Sequence, residues 1–345
     1  MDLDLINEEF IDNCKNGNLD IIKSLKNIDI HINEDFPLRI SCKFGYLELV
    51  KYLIEEKGAD IHAIYEHPLR LSAEFDHFEI LKYLIDKGAD IHGDEDGALT
   101  SSILNNHFQI SDYLLEKGAN IHTNDNYILQ LVIENNNEEA LKYIISKGIN
   151  VNSRSSIINY VDNINIIKIL LDNNINISYD SFADLLENNN DEIIKLVLDK
   201  IDIRELNDNN NELLKICLFN YNLKIFNLLI NKGIKLNYNS NIILKLSIKL
   251  EYIELIREIL KNKEKINFKM LFVNKNIKNL NILELLITKI KLNNNEIIEL
   301  IDYYKNNKLV YNYLNSYFYH KINNKLNLNF KKELISKSLL ISYRD

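Results

Sequence analysis

Four stretches of this chain are near copies of one another: YLIEEKGADIH from Tyr52 to His62, YLIDKGADIH from Tyr83 to His92, YLLEKGANIH from Tyr113 to His122 and YIISKGINVN from Tyr143 to Asn152. Measured at the polar residue just before each tyrosine (Lys51, Lys82, Asp112, Lys142), the steps are 31, 30 and 30 residues. Weaker echoes place Lys23 a step of 28 upstream, and Lys168, Lys195, Asn227, Arg257 and Glu284 downstream at steps of 26, 27, 32, 30 and 27. About ten units thus run from residue 1 to about residue 290. A period of this size constrains the fold more than any composition does. Such a unit cannot bury its apolar face alone and must close it against its neighbours in a stacked array.

Each unit reads as two short helices. In YLELVKYLIEEKG the apolar residues Leu49, Val50, Leu53 and Ile54 recur at helical spacing, and Ile80, Leu81, Leu84 and Ile85 repeat the stripe. Gly58, Gly88, Gly118, Gly148 and Gly233 each follow a lysine at the end of a stripe, where a left-handed residue stops a helix. Asn174 stands in where the glycine is missing. The preceding helix is carried by FPLRISCKF, HPLRLSAEF, GALTSSILN and YILQLVIEN, with Pro37 and Pro68 in the first turn. Gly17, Gly45, Asp76, Asn106 and Asn136 occupy matching places in the turn between the two helices. Cys14, Cys42 and Ala73 align as small residues that let helices pack closely, with Cys217 one position away. These cysteines read as core residues, not as nucleophiles or ligands.

A Pro-Leu opening, two helices and then Gly-Ala-Asp-Ile resemble the ankyrin repeat. Pro37-Leu38 with Cys42 and Pro68-Leu69 with Ala73 match its T-P-L-H-x-A signature in part. Arg39 and Arg70 stand where that signature has His, and Phe36 and His67 where it has Thr. The wording of the second helix and the Asn/Ile bias resemble the large ankyrin families of giant DNA viruses. The resemblance implies an all-α solenoid of stacked helix-turn-helix repeats with short β-turn or hairpin tips. Its expected divisions are an N-terminal capping repeat at 1–32, well-matched repeats at 33–152, degenerate repeats at 153–290 and a divergent helical C-terminal cap at 291–345. The short steps after Lys142 leave bare helix pairs without projecting tips. In the cap, Val310, Tyr313, Leu314, Tyr317 and Phe318 form one apolar stripe.

Charge and composition then narrow the function. The net charge of −9 lacks the basic face a nucleic-acid binder needs. Three cysteines far apart imply a reducing compartment. The start MDLDLINEEF is acidic where a secretory signal is basic and then apolar, and no apolar run reaches the roughly 18 residues of a membrane span. The chain reads as a soluble cytoplasmic monomer. The Asn tracts at 135–137, 188–190, 209–211 and 293–295 read as loops in a chain with an A/T-rich codon bias.

No catalytic or cofactor constellation stands out. The column His31, His62, His92 and His122 runs parallel along the stack, so it reads as a repeated turn contact and not as converging metal ligands. HGDEDG at 92–97 fails as a calcium loop, because His92 and Ile103 fall where oxygen ligands belong. Phosphate-loop, HExxH, CxxC and GxSxG motifs are missing from the sequence. The chain therefore reads as a non-enzyme that uses no cofactor and no metal.

What remains is surface. The polar stretches between units carry Glu34 and Asp35, then Tyr65 and Glu66, then Asp94, Glu95 and Asp96, then Asp125 and Tyr127. Lined up along one edge, the acids form either an ordinary solvated border or a docking strip for a basic protein partner. Tyr65 and Tyr127 are the aromatic anchors of the second reading. The implied function is protein–protein binding, with host proteins as the partners. A substrate-recognition adaptor of a ubiquitin ligase is the alternative, although neither end of the chain resembles an F-box. From Lys305 onward the balance turns basic, eight Lys/Arg against Glu333 and Asp345, which reads as solubility alone and not as a membrane contact.

Overall fold

The computed structural model describes residues 3–154, 157–188, 190–201, 212–236, 241–262, 277, 279–289 and 292–325. The chain divides into two compact bodies, Met1–Ser181 and Phe182–Asp345. Among the described residues all regular structure is helical.

In the N-terminal body one layer holds α1 (Leu3–Asn16), α3 (Ile32–Phe44), α5 (Ala63–Glu74), α7 (Gly93–Leu104) and α9 (Thr123–Glu134). The other holds α2 (Leu19–Ser24), α4 (Leu47–Glu55), α6 (Phe78–Asp86), α8 (Phe108–Glu116), α10 (Glu138–Ser146) and α11 (Ile164–Asp172). Each first helix packs on the first helix of the next unit and on its own second helix, as a stack of insufficient units demands. Leu38, Leu69, Leu99 and Leu129 line the seam between the layers, facing Leu53, Leu84, Leu114 and Ile144, and all are buried. Cys14 and Cys42 lie in this seam with no exposure, and burial pushes the Cys14 thiol up to about 12 and raises that of Cys42. Neither is a thiolate at neutral pH.

The repeated GADIH wording now has a meaning residue by residue. Glycines 58, 88, 118 and 148 carry φ of 76°, 102°, 110° and 97°, a region an L side chain resists. The next residue is buried, and its N–H returns to the second helix, Ala89 to Leu84 O at 3.0 Å being one case. Asp60, Asp90 and Asn120 then accept the N–H two residues on, at 2.9–3.0 Å, and so fix an Asx-turn.

Where hairpin tips are expected the chain does something else. Asn33-Glu34-Asp35, Ile64-Tyr65-Glu66, Asp94-Glu95-Asp96 and Asn124-Asp125-Asn126 all lie at φ of 48–63°, one left-handed helical turn per unit. The right-handed first helix starts only afterwards, which places Pro37 and Pro68 in its first turn. The period shortens after Ser146. There the first helix shrinks to a 3-10 turn at Ile157–Tyr160, so α11 has no full helical partner in its own unit. The 26-residue step leaves too little chain for both a left-handed turn and a helix.

The helix α12 (Tyr179–Asn188) spans the division between the bodies. The C-terminal body continues with α13 (Asp191–Lys200), α14 (Glu212–Phe219), α15 (Leu223–Asn231), α16 (Asn241–Lys249), α17 (Ile253–Asn262), α18 (Leu280–Lys289), α19 (Asn294–Tyr303) and α20 (Lys308–Lys325). Tyr221 and Glu251, at φ of 57°, join α14 to α15 and α16 to α17. Cys217 is buried, and its thiol is pushed up to about 12 by that burial. Val310, Leu314 and Phe318 of α20 are buried, with Tyr313 and Tyr317 partly covered beside them. The Asn tract at 209–211 and the basic tail beyond residue 325 lie outside the described residues.

Candidate functional site: the edge of left-handed turns

A left-handed turn of ordinary L residues costs about 1–2 kcal/mol per residue, so each must be held from outside. The groups around the turns are the third residue, which reaches the next unit in the first and third turns, and an arginine, which meets the first, third and fourth. Asp35 Oδ1 accepts the backbone N–H of Asp60 in the next unit at 3.0 Å, and Asp96 Oδ1 accepts that of Asn120 at 2.9 Å. Asn7 does the same for Asp29 and Asn152 for Asn176, at 3.0 and 2.6 Å. Within its own unit each third residue faces the turn histidine. His31 Nδ1 lies 3.1 Å from Asp35, His62 Nδ1 2.5 Å from Glu66, His92 Nδ1 3.0 Å from Asp96 and His122 Nδ1 2.6 Å from Asn126. The histidine column is thus a repeated turn contact. Its bond to Glu66 holds the His62 imidazolium above its ordinary range.

The arginines supply the other half of the bracket. Arg39 donates from Nε to Glu34 O at 3.0 Å and from Nη2 to Asn33 O at 2.6 Å. Arg154 donates to Asn124 O at 3.1 Å and Asp125 O at 3.4 Å and stacks on the Tyr127 ring. Arg70 reaches forward to pair with Asp94 of the next turn. Sequence reasoning noted Arg39 and Arg70 only as departures from a signature. Their proximity to consecutive left-handed carbonyls follows from a turn geometry that no local propensity announces.

This bracket corrects the acidic row. Asp35, Glu66 and Asp96 are each only 5 % exposed and face the stack, so they are acceptors for the fold and present no charge at the edge. In a left-handed turn the third side chain swings back over the first helix, which an extended tip would not do. The middle residues point the other way: Glu34, Tyr65, Glu95 and Asp125 are all exposed, with Tyr65 at 80 %. Asp94 and Tyr127 are exposed beside them. Asp94 is bound to Arg70, and Glu95 accepts from the Asn124 amide. The exposed edge therefore reads acid, tyrosine, acid, acid, and the nearby arginines have their donors turned toward backbone or Asp94.

Similar staples sit at the far end of the first helices. Tyr46 Oη donates to Lys15 O at 3.2 Å, His77 Nε2 lies 2.8 Å from Lys43 O, His107 Nε2 3.0 Å from Glu74 O, and Asn137 Nδ2 donates to Leu104 O at 2.9 Å. Along the second helices Tyr83 bonds Glu55 and Tyr143 bonds Asp112, each carboxylate also held by Lys87 or Lys147 of the later unit. Neighbouring units are thus tied at up to three levels, which presents the edge on a preformed scaffold.

Among the described residues no group of three or more His, Cys, Asp or Glu side chains is placed to hold a metal ion, and no helix is long and apolar enough to cross a membrane. The family model for ankyrin repeats (3 copies) matches residues 11–94 and again residues 69–155. No curated protein matches the chain.

Proposed function

With ankyrin repeats across residues 11–155 as the premise, we propose that this chain is a non-catalytic binding scaffold that captures a basic segment of a partner protein along its left-handed turns. Ankyrin repeats generally mediate protein–protein interaction, and proteins built of them are typically scaffolds without enzymatic activity. The observation that carries the reading is the division of labour inside each turn. The third residue turns toward the fold and bonds the turn histidine, and the middle residue, Glu34, Tyr65, Glu95 or Asp125, is left exposed. Asp94 and Tyr127 flank that line, while Asp35, Glu66 and Asp96 serve the stack. Exposed acids without interspersed lysine attract a basic partner from a distance. In this reading the scaffold acts as a cytoplasmic monomer on host-cell proteins.

The triple variant Glu34→Lys, Glu95→Lys and Asp125→Lys tests the reading. None of these carboxylates bonds a turn backbone, and Glu95 meets only the exposed Asn124 amide, so the melting temperature is expected to stay within about 2 °C of the parent. Association with a partner recovered by cross-linking is expected to slow at least tenfold at low salt, with the difference shrinking as salt rises. Equal association rates for parent and variant at low salt refute the proposal.

A further inference from the structure

The position eight residues after each turn histidine reads Arg39, Arg70, Thr100 and Gln130 in successive units. In the seam between α3 and α5, Arg39 fills the groove. Its guanidinium lies 5.4 Å from the Phe36 ring centroid, and Nη1 is 3.3 Å from His67 Nδ1 of the next unit. In the seam between α5 and α7, Arg70 crosses over Gly97 to Asp94. The missing side chain at Gly97 makes that crossing feasible, since a Cβ there would sit 2.7 Å from Arg70 Cδ. The third seam has no such filler. Thr100 is too short to cross, and a cavity of about 250 Å³ remains between α7 and α9. Thr100, Ser101, Glu95, Asn124, Tyr127 and Leu131 line it, and the Arg70–Asp94 pair of the preceding seam borders it as well.

We infer that this cavity is an arginine slot, which receives one arginine side chain from an extended basic segment of the partner. The inference rests on the docking role of the edge and names its anchor. The volume lies below the range of about 300–1,000 Å³ usual for small-molecule sites and suits a single side chain. The two preceding seams show which side chain fits: an arginine, its stem along the first helix and its guanidinium among turn groups. Charge agrees. Arg70 at the border of the cavity is paired with Asp94, while the Glu95 carboxylate meets only the neutral Asn124 amide and faces an incoming cation without a cationic partner of its own. Arg154 stays outside the lining, engaged with turn carbonyls and the Tyr127 ring.

Methyl-labelled isoleucine and leucine in the full chain give a direct readout, because Ile128 and Leu131 line the slot. The probes are two nine-residue Gly/Ser peptides, one with a central arginine and one with a central citrulline of the same shape but no charge. The arginine peptide is expected to shift the Ile128 and Leu131 methyls saturably, with about tenfold higher affinity than the citrulline peptide. Thr100→Arg, which supplies the filler internally, is expected to abolish the shifts. Should that variant fold poorly, Glu95→Gln keeps the slot's shape and is expected to weaken the arginine peptide at least threefold and leave the citrulline peptide unchanged. Shifts that centre elsewhere, equal affinity for both peptides, or full binding to Thr100→Arg or Glu95→Gln each overturn the slot. The edge reading survives those results if charge reversal still slows partner association. It fails by itself if the slot binds normally while charge reversal has no effect.

Discussion

The seam between the second and third units departs from its neighbours in a way that predicts a specific coupling. Asp35 and Asp96 each reach a backbone N–H of the following unit, whereas Glu66, one methylene longer, lies against His62 with Oε1 at 2.5 Å. Its Oε2 is buried without a hydrogen-bond partner. The extra methylene is housed by Gly93, where a Cβ would lie 2.2 Å from Glu66 Cγ and 2.8 Å from Glu66 Cβ. The residue opposite Asp35 at the same place is Ala63, and opposite Asp96 it is Thr123, whose Oγ1 donates to the carboxylate. Gly93→Ala therefore overpacks a buried contact, a change that costs about 1–3 kcal/mol. The lower chain entropy of the unfolded alanine variant offsets up to about 1 kcal/mol of that. A net loss of about 1–2 kcal/mol lowers the melting temperature by about 2–8 °C for a body of this size. Adding Glu66→Asp recreates the Asp35–Ala63 pairing, frees the space and offers the Asp90 N–H an acceptor, about 0.5–1.5 kcal/mol. The double variant is expected to match or exceed the parent, with a coupling energy of about 1–3 kcal/mol from denaturant unfolding of all four proteins. A Gly93→Ala protein as stable as the parent, or additive effects in the cycle, would refute the size-matching argument.

Two further outcomes follow from the same contacts. Tyr143→Phe removes the hydroxyl that donates to Asp112 at 2.7 Å but keeps the ring stacked on Phe108 at 4.3 Å, and Lys147 still holds the carboxylate; urea unfolding is expected to report a loss of about 0.5–1.5 kcal/mol, and a loss above about 3 kcal/mol would contradict it. His67 is drawn down to about 4, first by burial and then by Arg70 and Arg39. Because the folded form binds its proton less readily than the unfolded chain, its contribution is complete above pH 6.5 and is lost as pH falls toward 4. The melting temperature of the parent is expected to drop more steeply over that window than that of His67→Gln, and parallel curves would sink the assignment. His62 has the opposite sign, since its raised value makes its contribution complete below pH 6.5 and lost as pH climbs through that value.

Much of this architecture was legible in the order of residues because it depends on period and on backbone freedom. The stripe Leu49, Val50, Leu53 declares a helix, and Gly58 or Asn174 declares where it ends; the left-handed φ of both residues agrees. The first-helix cysteines were legible as core for the same reason, by alignment with Ala73. The left-handed turns were not legible. Ile64, Tyr65 and Glu66 have no intrinsic preference for positive φ, and in the first and fourth turns the backbone carbonyls are met by arginines 5 to 30 residues away. That turn geometry draws three of the seven acids of the row, Asp35, Glu66 and Asp96, inward. In an extended tip Asp94, Glu95 and Asp96 would all meet solvent; in a left-handed turn the third rotates inward to 5 % exposure.

The same rotation separates what the stack requires from what the edge can vary. The place of Asp35 needs an acceptor and not a charge, for Asn7 at the matching place in α1 makes the bond that Asp35 and Asp96 make. The first position contributes its carbonyl to an arginine in two of the turns, a demand that any residue meets. The middle side chain is the exposed one in all four turns, and there the series runs through Glu, Tyr, Glu and Asp with no change in backbone geometry. A strained turn held by its neighbours is therefore well suited to recognition. Its rigidity comes from groups that face inward, so the outward residue can be exchanged without loosening the array.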